Sequence, residues 1–238
     1  EGATLSIKEK VSLFIVAVEH INKRVPVIAG TGSNNTAETI DVTFLAKENG
    51  VDGVLLVAPY YNKPTQEGIY NHYKAIADEV DIPIILYNVP SRTSINIHPE
   101  IQLKLAEDFK NIVATKEASG DLEQMSQIIR NAPSHFSLLS GDDALTLPII
   151  SIGGAGVISV ISNYASKKFS DLVNFALNGN YSESRKLHYE LLELMKLNFI
   201  ESNPIPVKAI LSQMGFINNY LRLPLMPIGK KNLNILTS

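Results

Sequence analysis

Lys116 closes the apolar run Asn111-Ile-Val-Ala-Thr-Lys-Glu-Ala-Ser119, and a lysine at the carboxyl end of a buried strand sits where water is scarce. An ammonium deprived of hydration drops from its ordinary pKa of about 10.4 toward neutrality. The neutral amine is a nucleophile and forms Schiff bases with carbonyl compounds. Taken alone, a strand-end lysine more often snorkels to solvent; two neighbouring segments, Ala58-Pro-Tyr-Tyr-Asn-Lys-Pro-Thr-Gln-Glu-Gly68 and Ile85-Leu-Tyr-Asn-Val-Pro-Ser-Arg-Thr93, shift that balance. Tyr87 ends its strand one βα unit before Lys116, and its hydroxyl can pass protons to and from a carbinolamine. Arg92 lies in the loop after Tyr87, able to fork onto a substrate carboxylate, although pairing with a surface carboxylate is the plainer reading. Tyr60 and Tyr61, taken singly, read as a buried aromatic pair. Ser140-Gly-Asp-Asp143 places two carboxylates where barrels often bind phosphate, so the expected substrate is carboxylated and not phosphorylated. The five histidines (His20, His72, His98, His135, His188) share no metal-ligand spacing, and no Gly-x-Ser-x-Gly elbow is present.

The elements that must position these groups alternate. Apolar runs at Val25–Gly30, Val51–Ala58, Ile82–Tyr87, Ile112–Thr115, Phe136–Leu139 and Gly156–Ile161 are mostly continuous, the pattern of parallel strands covered on both faces. Helical patterns at Ala37–Glu48, Gly68–Glu79, Pro99–Phe109 and Leu122–Ala132 separate them, which predicts a parallel α/β architecture with right-handed crossovers. After Ile161 the pattern turns helical, through Lys168–Leu177, Tyr181–Phe199 and Pro206–Met214. Gly30-Thr-Gly32 lacks the third glycine of a dinucleotide turn, and Gly153-Gly-Ala-Gly156 precedes its strand. A (β/α)8 TIM barrel explains more, because Thr31, Tyr60, Tyr61, Tyr87, Lys116, Glu117, Asp142 and Asp143 would then gather at one mouth. Ser6-Ile-Lys-Glu9 reads as a capping box, and the opening Glu1-Gly-Ala-Thr-Leu-Ser6 reads as the middle of a loop. The expectation is therefore a barrel lacking its first two strands in this chain, over residues 1–165, with a C-terminal helical region over 166–238.

Composition narrows the class. The 238 residues carry a net charge of −3, with neither clustered basic residues nor cysteine. That argues against a nucleic-acid surface and excludes disulfides, zinc-thiolate sites and a cysteine nucleophile. No apolar stretch reaches the ~18 residues of a membrane span.

Together the three segments resemble the dihydrodipicolinate synthase family, within the pyruvate-dependent class I aldolases. The likeness runs nearly the whole chain: Gly30-Thr-Gly-Ser-Asn-Asn-Thr-Ala-Glu38, Pro59-Tyr-Tyr-Asn-Lys-Pro64, Tyr87-Asn-Val-Pro-Ser-Arg-Thr93, Lys116-Glu-Ala, Leu139-Ser-Gly-Asp-Asp143, Gly156-Val-Ile-Ser-Val160 and Asn203-Pro-Ile-Pro-Val-Lys208. The resemblance implies a cytoplasmic lyase that condenses pyruvate with aspartate semialdehyde to 4-hydroxy-tetrahydrodipicolinate, on the route to lysine and diaminopimelate. It implies Lys116 as the Schiff-base lysine, Tyr87 as proton donor and acceptor, and Tyr61 reaching a neighbouring subunit's site. Arg92 would bind the carboxylate of aspartate semialdehyde, with Gly141 and the backbone of Ile158 at the substrate. It further implies a homotetramer of two tight dimers, no cofactor beyond the covalent Schiff base, and no metal. Asn34, Glu38 and Tyr60 match a lysine effector site, where Ile7 and Lys10 replace histidines of lysine-sensitive members; poor inhibition by lysine is the expectation. The family's Gly-Thr-Thr-Gly-Glu motif survives only as Glu1, so the expectation is that this chain, taken as the whole protein, is nearly inactive. The alternatives are another pyruvate-forming class I lyase (N-acetylneuraminate lyase or a keto-sugar-acid aldolase) and an inactive scaffold.

Overall fold

The computed structural model describes residues 1–237. Ser6 accepts from the Glu9 amide while the Glu9 carboxylate takes the Ser6 amide, and this reciprocal cap opens α1 (Ile7–Ile21). There follow β1 (Ile28–Gly30), α2 (Thr36–Glu48), β2 (Gly53–Val57), α3 (Gln66–Glu79), β3 (Ile84–Asn88), α4 (Pro90–Thr93), α5 (Pro99–Asp108), β4 (Ile112–Glu117), α6 (Leu122–Asn131), β5 (Ser137–Ser140), α7 (Thr146–Ser151), β6 (Gly156–Val157), α8 (Ser162–Leu177), α9 (Tyr181–Leu197), α10 (Ile205–Gln213) and α11 (Lys230–Thr237). The expected alternation is borne out as a half-barrel: six strands, all pairings parallel, in the order β1-β2-β3-β4-β5-β6.

Side chains alternate across this sheet. Val54, Leu56, Ile84, Leu86, Ile112 and Leu138 face the helices and join Ile69, Tyr73, Ile76, Leu105, Met125 and Ile128 in one buried core. Leu55, Val57, Tyr87, Lys116 and Leu139 alternate with these and are only half-buried. Along the β3–β4 seam the register shifts once: Ile84 aligns with Ile112 but Ile85 with Ala114, passing over Val113. Beyond the shift, Tyr87 pairs with Lys116 and Asn88 with Glu117. The C-terminal helices have cores of their own, one around Phe169, Leu172, Leu191 and Met195, another around Ile205, Ala209, Leu221 and Ile228. Among the described residues no helix is long and apolar enough to cross a membrane.

Several expectations need correction. The last strand is a two-residue ladder, not Gly156–Ile161, because the Asp143 carboxylate captures the amides of Val160 and Ile161 and turns the chain into α8. Thr31 and Glu117 do not face the mouth. Thr31 is buried with its hydroxyl 2.9 Å from that of Thr43 on α2. Glu117 follows Lys116 by one residue, so pleating sends it to the helix side, where it is fully buried. Tyr60 and Tyr61 are not a buried pair: they are 37% and 88% exposed. Arg92 lies in the single turn α4 rather than in a loop.

Candidate active site

A cavity of about 420 Å3 opens at the carboxyl ends of β3, β4 and β5. Its walls include Tyr87, Arg92, Lys116, Gly141 and Asp142, and the C-terminal region contributes Phe199, Ser202 and Asn203. The β3–β4 register sets its centre: Tyr87 and Lys116 are direct neighbours, and the Lys116 Nζ lies 4.2 Å from the centroid of the Tyr87 ring. Burial lowers the Lys116 pKa from 10.5 to about 8; the Asp143 charge opposes this drop and the Arg92 charge adds to it. Burial likewise raises the Tyr87 phenol above its ordinary value, with Arg92 acting the other way. The amine is thus poised to lose its proton near neutral pH, while the phenol beside it keeps its own.

Gly141 borders the amine closely. A Cβ there would meet the Ala118 Cβ at 2.7 Å and the Lys116 Cε at 3.2 Å. The absent side chain therefore leaves room for the lysine stem and for whatever the amine attacks. Asp142 and Asp143, read from sequence as a phosphate-repelling pair, are largely engaged by backbone. Asp142 accepts from the amides of Ala144 and Leu145, and Asp143 from those of Val160 and Ile161. Burial raises the Asp143 carboxyl above its usual value, against the hydrogen bonds of Ser159, Ile161 and Val160. Arg92 donates from Nη2 to the Asn203 carbonyl at 3.3 Å, not to a surface carboxylate, which leaves its remaining donors to the cavity.

The structure brings Lys116, Tyr87, Arg92 and Gly141 together. Ile158 is not on the cavity wall, and its amide donates to the Ser140 carbonyl at 2.9 Å. Tyr61 stands in solvent at a positive φ of 72°. A second cavity of about 420 Å3 is lined by Lys10, Ser33, Glu38 and Tyr60, and shares Tyr87 with the first. Asn34 donates to the Tyr60 carbonyl at 3.1 Å, and Glu38 accepts from the Ser33 hydroxyl at 3.1 Å. Sequence reasoning missed Phe199 and Ser202 as cavity residues, and quoted Val160 only within Gly156-Val-Ile-Ser-Val160. Asn203 was quoted only within a motif, although the proline pair of Asn203-Pro-Ile-Pro206 marked a fixed turn. Among the described residues no three His, Asp or Glu side chains gather as a metal site.

Comparison with known proteins is consistent across the chain. A family model described as the dihydrodipicolinate synthetase family matches residues 1–238. A relative from Citrifermentans bemidjiense named 4-hydroxy-tetrahydrodipicolinate synthase is 52% identical over 238 residues, covering 100% of this chain and 82% of that protein. A solved dihydrodipicolinate synthase from Aquifex aeolicus superposes with a TM-score of 0.98 at 45% identity, covering 99% of this chain and 80% of the other. One from Cyanidioschyzon merolae, solved with lysine bound, superposes with a TM-score of 0.97 at 44% identity, with the same coverage of 99% and 80%.

Proposed function

Because the chain belongs to the dihydrodipicolinate synthetase family, we propose that it performs the reaction for which its relatives are named, the Schiff-base condensation of pyruvate with aspartate 4-semialdehyde. The observation that carries this reading is the pairing of a desolvated lysine with a tyrosine on adjacent strand ends. The unprotonated Lys116 Nζ attacks the keto carbon of pyruvate, giving a carbinolamine. Loss of water gives the imine, and loss of a methyl proton gives the enamine that attacks the aldehyde. Each step moves a proton, and Tyr87 is the adjacent group that can donate and take one. Arg92 receives the carboxylate of the aldehyde substrate as a charge-assisted pair. The space beside Gly141 admits the keto acid. The names of the relatives favour this acceptor over those of the keto-sugar-acid lyases.

The finer architecture belongs to the same proposal. The six parallel strands fit six consecutive staves of a (β/α)8 barrel, with residues 1–165 as barrel and 166–238 as a helical region. Tyr61, exposed and held at positive φ, suits insertion into a second copy, as expected of a tetramer of two tight dimers in the cytoplasm. The cavity of Lys10, Glu38 and Tyr60 is the place for a lysine effector, in keeping with the relative solved with lysine bound. Borohydride reduction in the presence of pyruvate tests the central claim. A mass increment on the Lys116 peptide is expected, and its absence, or labelling of a different lysine, refutes the chemistry. Turnover with aspartate semialdehyde then tests the acceptor.

A further inference from the structure

Directly behind the reactive pair, on the helix side of the sheet, Glu117 is fully buried and belongs to none of the ion pairs of the described residues. A buried carboxylate without a cation must be satisfied by hydrogen bonds, and here neutral donors surround it. The Asn88 Nδ2 reaches both oxygens at 3.0 and 3.1 Å, Gln102 and Gln124 donate to Oε2 at 3.1 and 3.0 Å, and the Ser119 amide donates to Oε1 at 2.9 Å. Stability alone does not call for this arrangement, since apolar residues of similar volume commonly serve a core as well or better. What the arrangement does provide is fixed geometry.

The placement of the cluster shows which geometry it fixes. Tyr87 and Lys116 are register partners on the inner face, and the next residues of the same two strands, Asn88 and Glu117, are register partners on the outer face. A hydrogen-bonded clamp between the outer pair sets the spacing of the inner pair. Asn88 also ties down the segment that carries Arg92. Its Nδ2 donates to the Asn96 Oδ1 at 2.7 Å and its Oδ1 accepts from the Ile97 amide at 3.0 Å, so residues 89–95 are anchored at both ends. Gln124 extends the network to α6 by exchanging hydrogen bonds with Asn96.

We propose that Glu117 is a positioning residue: through Asn88 and its amide donors it holds the Lys116 amine in attacking geometry against Tyr87 and sets the Arg92 turn relative to both. This rests on the reading of Lys116 as the Schiff-base lysine. Misplacement of reacting groups by about 1 Å costs on the order of a hundredfold in rate, and the clamp is one residue removed from the nucleophile.

The test is the rate of borohydride-trapped adduct formation at Lys116 as a function of pyruvate concentration, read by mass spectrometry on the full chain. Wild type comes first, because absence of an adduct there refutes the Schiff-base reading itself and the proposal with it. Glu117→Gln keeps the volume but turns one acceptor into a donor facing other donors. It is expected to lower the limiting rate at least tenfold and to change the half-saturating pyruvate concentration less than threefold. The double variant E117Q/N88D returns a carboxylate to the clamp from the other strand, with the Asn96 and Gln124 amides free to flip. It should recover at least half of the loss on a logarithmic scale. A purely structural role would lower the unfolding temperature of E117Q while leaving the limiting rate of the folded fraction within twofold of wild type, and that result overturns the proposal. A double variant no faster than E117Q overturns it too. Should E117Q not fold, Gln124→Met, which removes one donor to Glu117 together with the exchange with Asn96, decides: a fall of about threefold supports the clamp and an unchanged rate refutes it.

Discussion

Lys116 should be a destabilising residue, and replacing it with methionine should make the protein more stable while abolishing its chemistry. The drop of its pKa from 10.5 to about 8 corresponds, at about 1.36 kcal/mol per pKa unit, to a penalty of about 3 kcal/mol for holding the ammonium in the fold. The contact of the ammonium with the Tyr87 ring offsets about 1 kcal/mol in the folded wild type, and methionine on the same ring recovers part of that. The net gain expected for Lys116→Met at pH 7 is about 2 kcal/mol, or roughly 4–8 °C in Tm for a domain of this size. The sign with pH follows from linkage. Below pH 8 both folded and unfolded lysine are protonated and the folded protein bears the whole penalty. Between pH 8 and 10.5 the folded amine sheds its proton first, so wild-type stability rises in that window. The advantage of K116M should therefore be full at pH 7 and largely gone by pH 10.5. Thermal and urea unfolding of both proteins at pH 7 and pH 10, followed by circular dichroism, measure this directly. A K116M protein no more stable than wild type at pH 7, or a gap of the same size at both pH values, would refute the desolvation argument.

The same pKa predicts that the rate of pyruvate trapping rises about tenfold between pH 6 and 7 and levels off above pH 9; a midpoint near 10.5 would mean a solvated amine. Gly141→Ala should slow trapping at least tenfold and cost about 1–3 kcal/mol, since its Cβ would crowd Ala118 and the Lys116 stem; wild-type trapping by G141A would mean that this space is not used. Arg92→Ala should raise the KM for aspartate semialdehyde by roughly ten- to a hundredfold, the loss of a charged hydrogen bond, while pyruvate trapping stays within about threefold. An equal loss in both would assign Arg92 to the keto acid. Lysine should inhibit weakly, because Lys10 places a like charge in the cavity of Glu38 and Tyr60. Inhibition at micromolar concentrations would refute this, and Lys10→His should strengthen inhibition.

Most of the half-barrel was legible because parallel strands buried on both faces read as continuous apolar runs, as β2 does throughout and β3 and β4 do over Ile84–Leu86 and Ile112–Ala114. The short elements were not. α4 begins on Pro90 and lasts four residues, and α7 lasts six and interrupts its own pattern with Pro148 between Leu147 and Ile149, so neither offers a helical period long enough to read. β6 looked longer than it is because its apolar residues continue past the point where Asp143 draws the backbone away. At the site, Lys116, Tyr87 and Arg92 lie on consecutive units and were found together. Phe199, Ser202 and Asn203 come from a helical region more than eighty residues further on, where only tertiary packing brings them back. Glu117 was placed on the wrong side because a charge next to a reactive lysine invites a catalytic reading, whereas pleating alone assigns it to the opposite face.

The skipped residue in the β3–β4 seam amounts to a change of phase. Ile112 faces the helices and belongs to the core; counting by twos from it, residues 114 and 116 should face them as well. The irregularity at Val113 inverts the count, so that Ala114 and Lys116 aligns with Ile85 and Tyr87 on the inner face. In a uniform ladder from Ile84 and Ile112, Thr115 would stand beside Tyr87, the lysine would turn into the apolar layer, and Glu117 would point into the cavity. One surplus residue at the start of the strand thus decides, three positions later, whether the protein presents a nucleophile or a carboxylate.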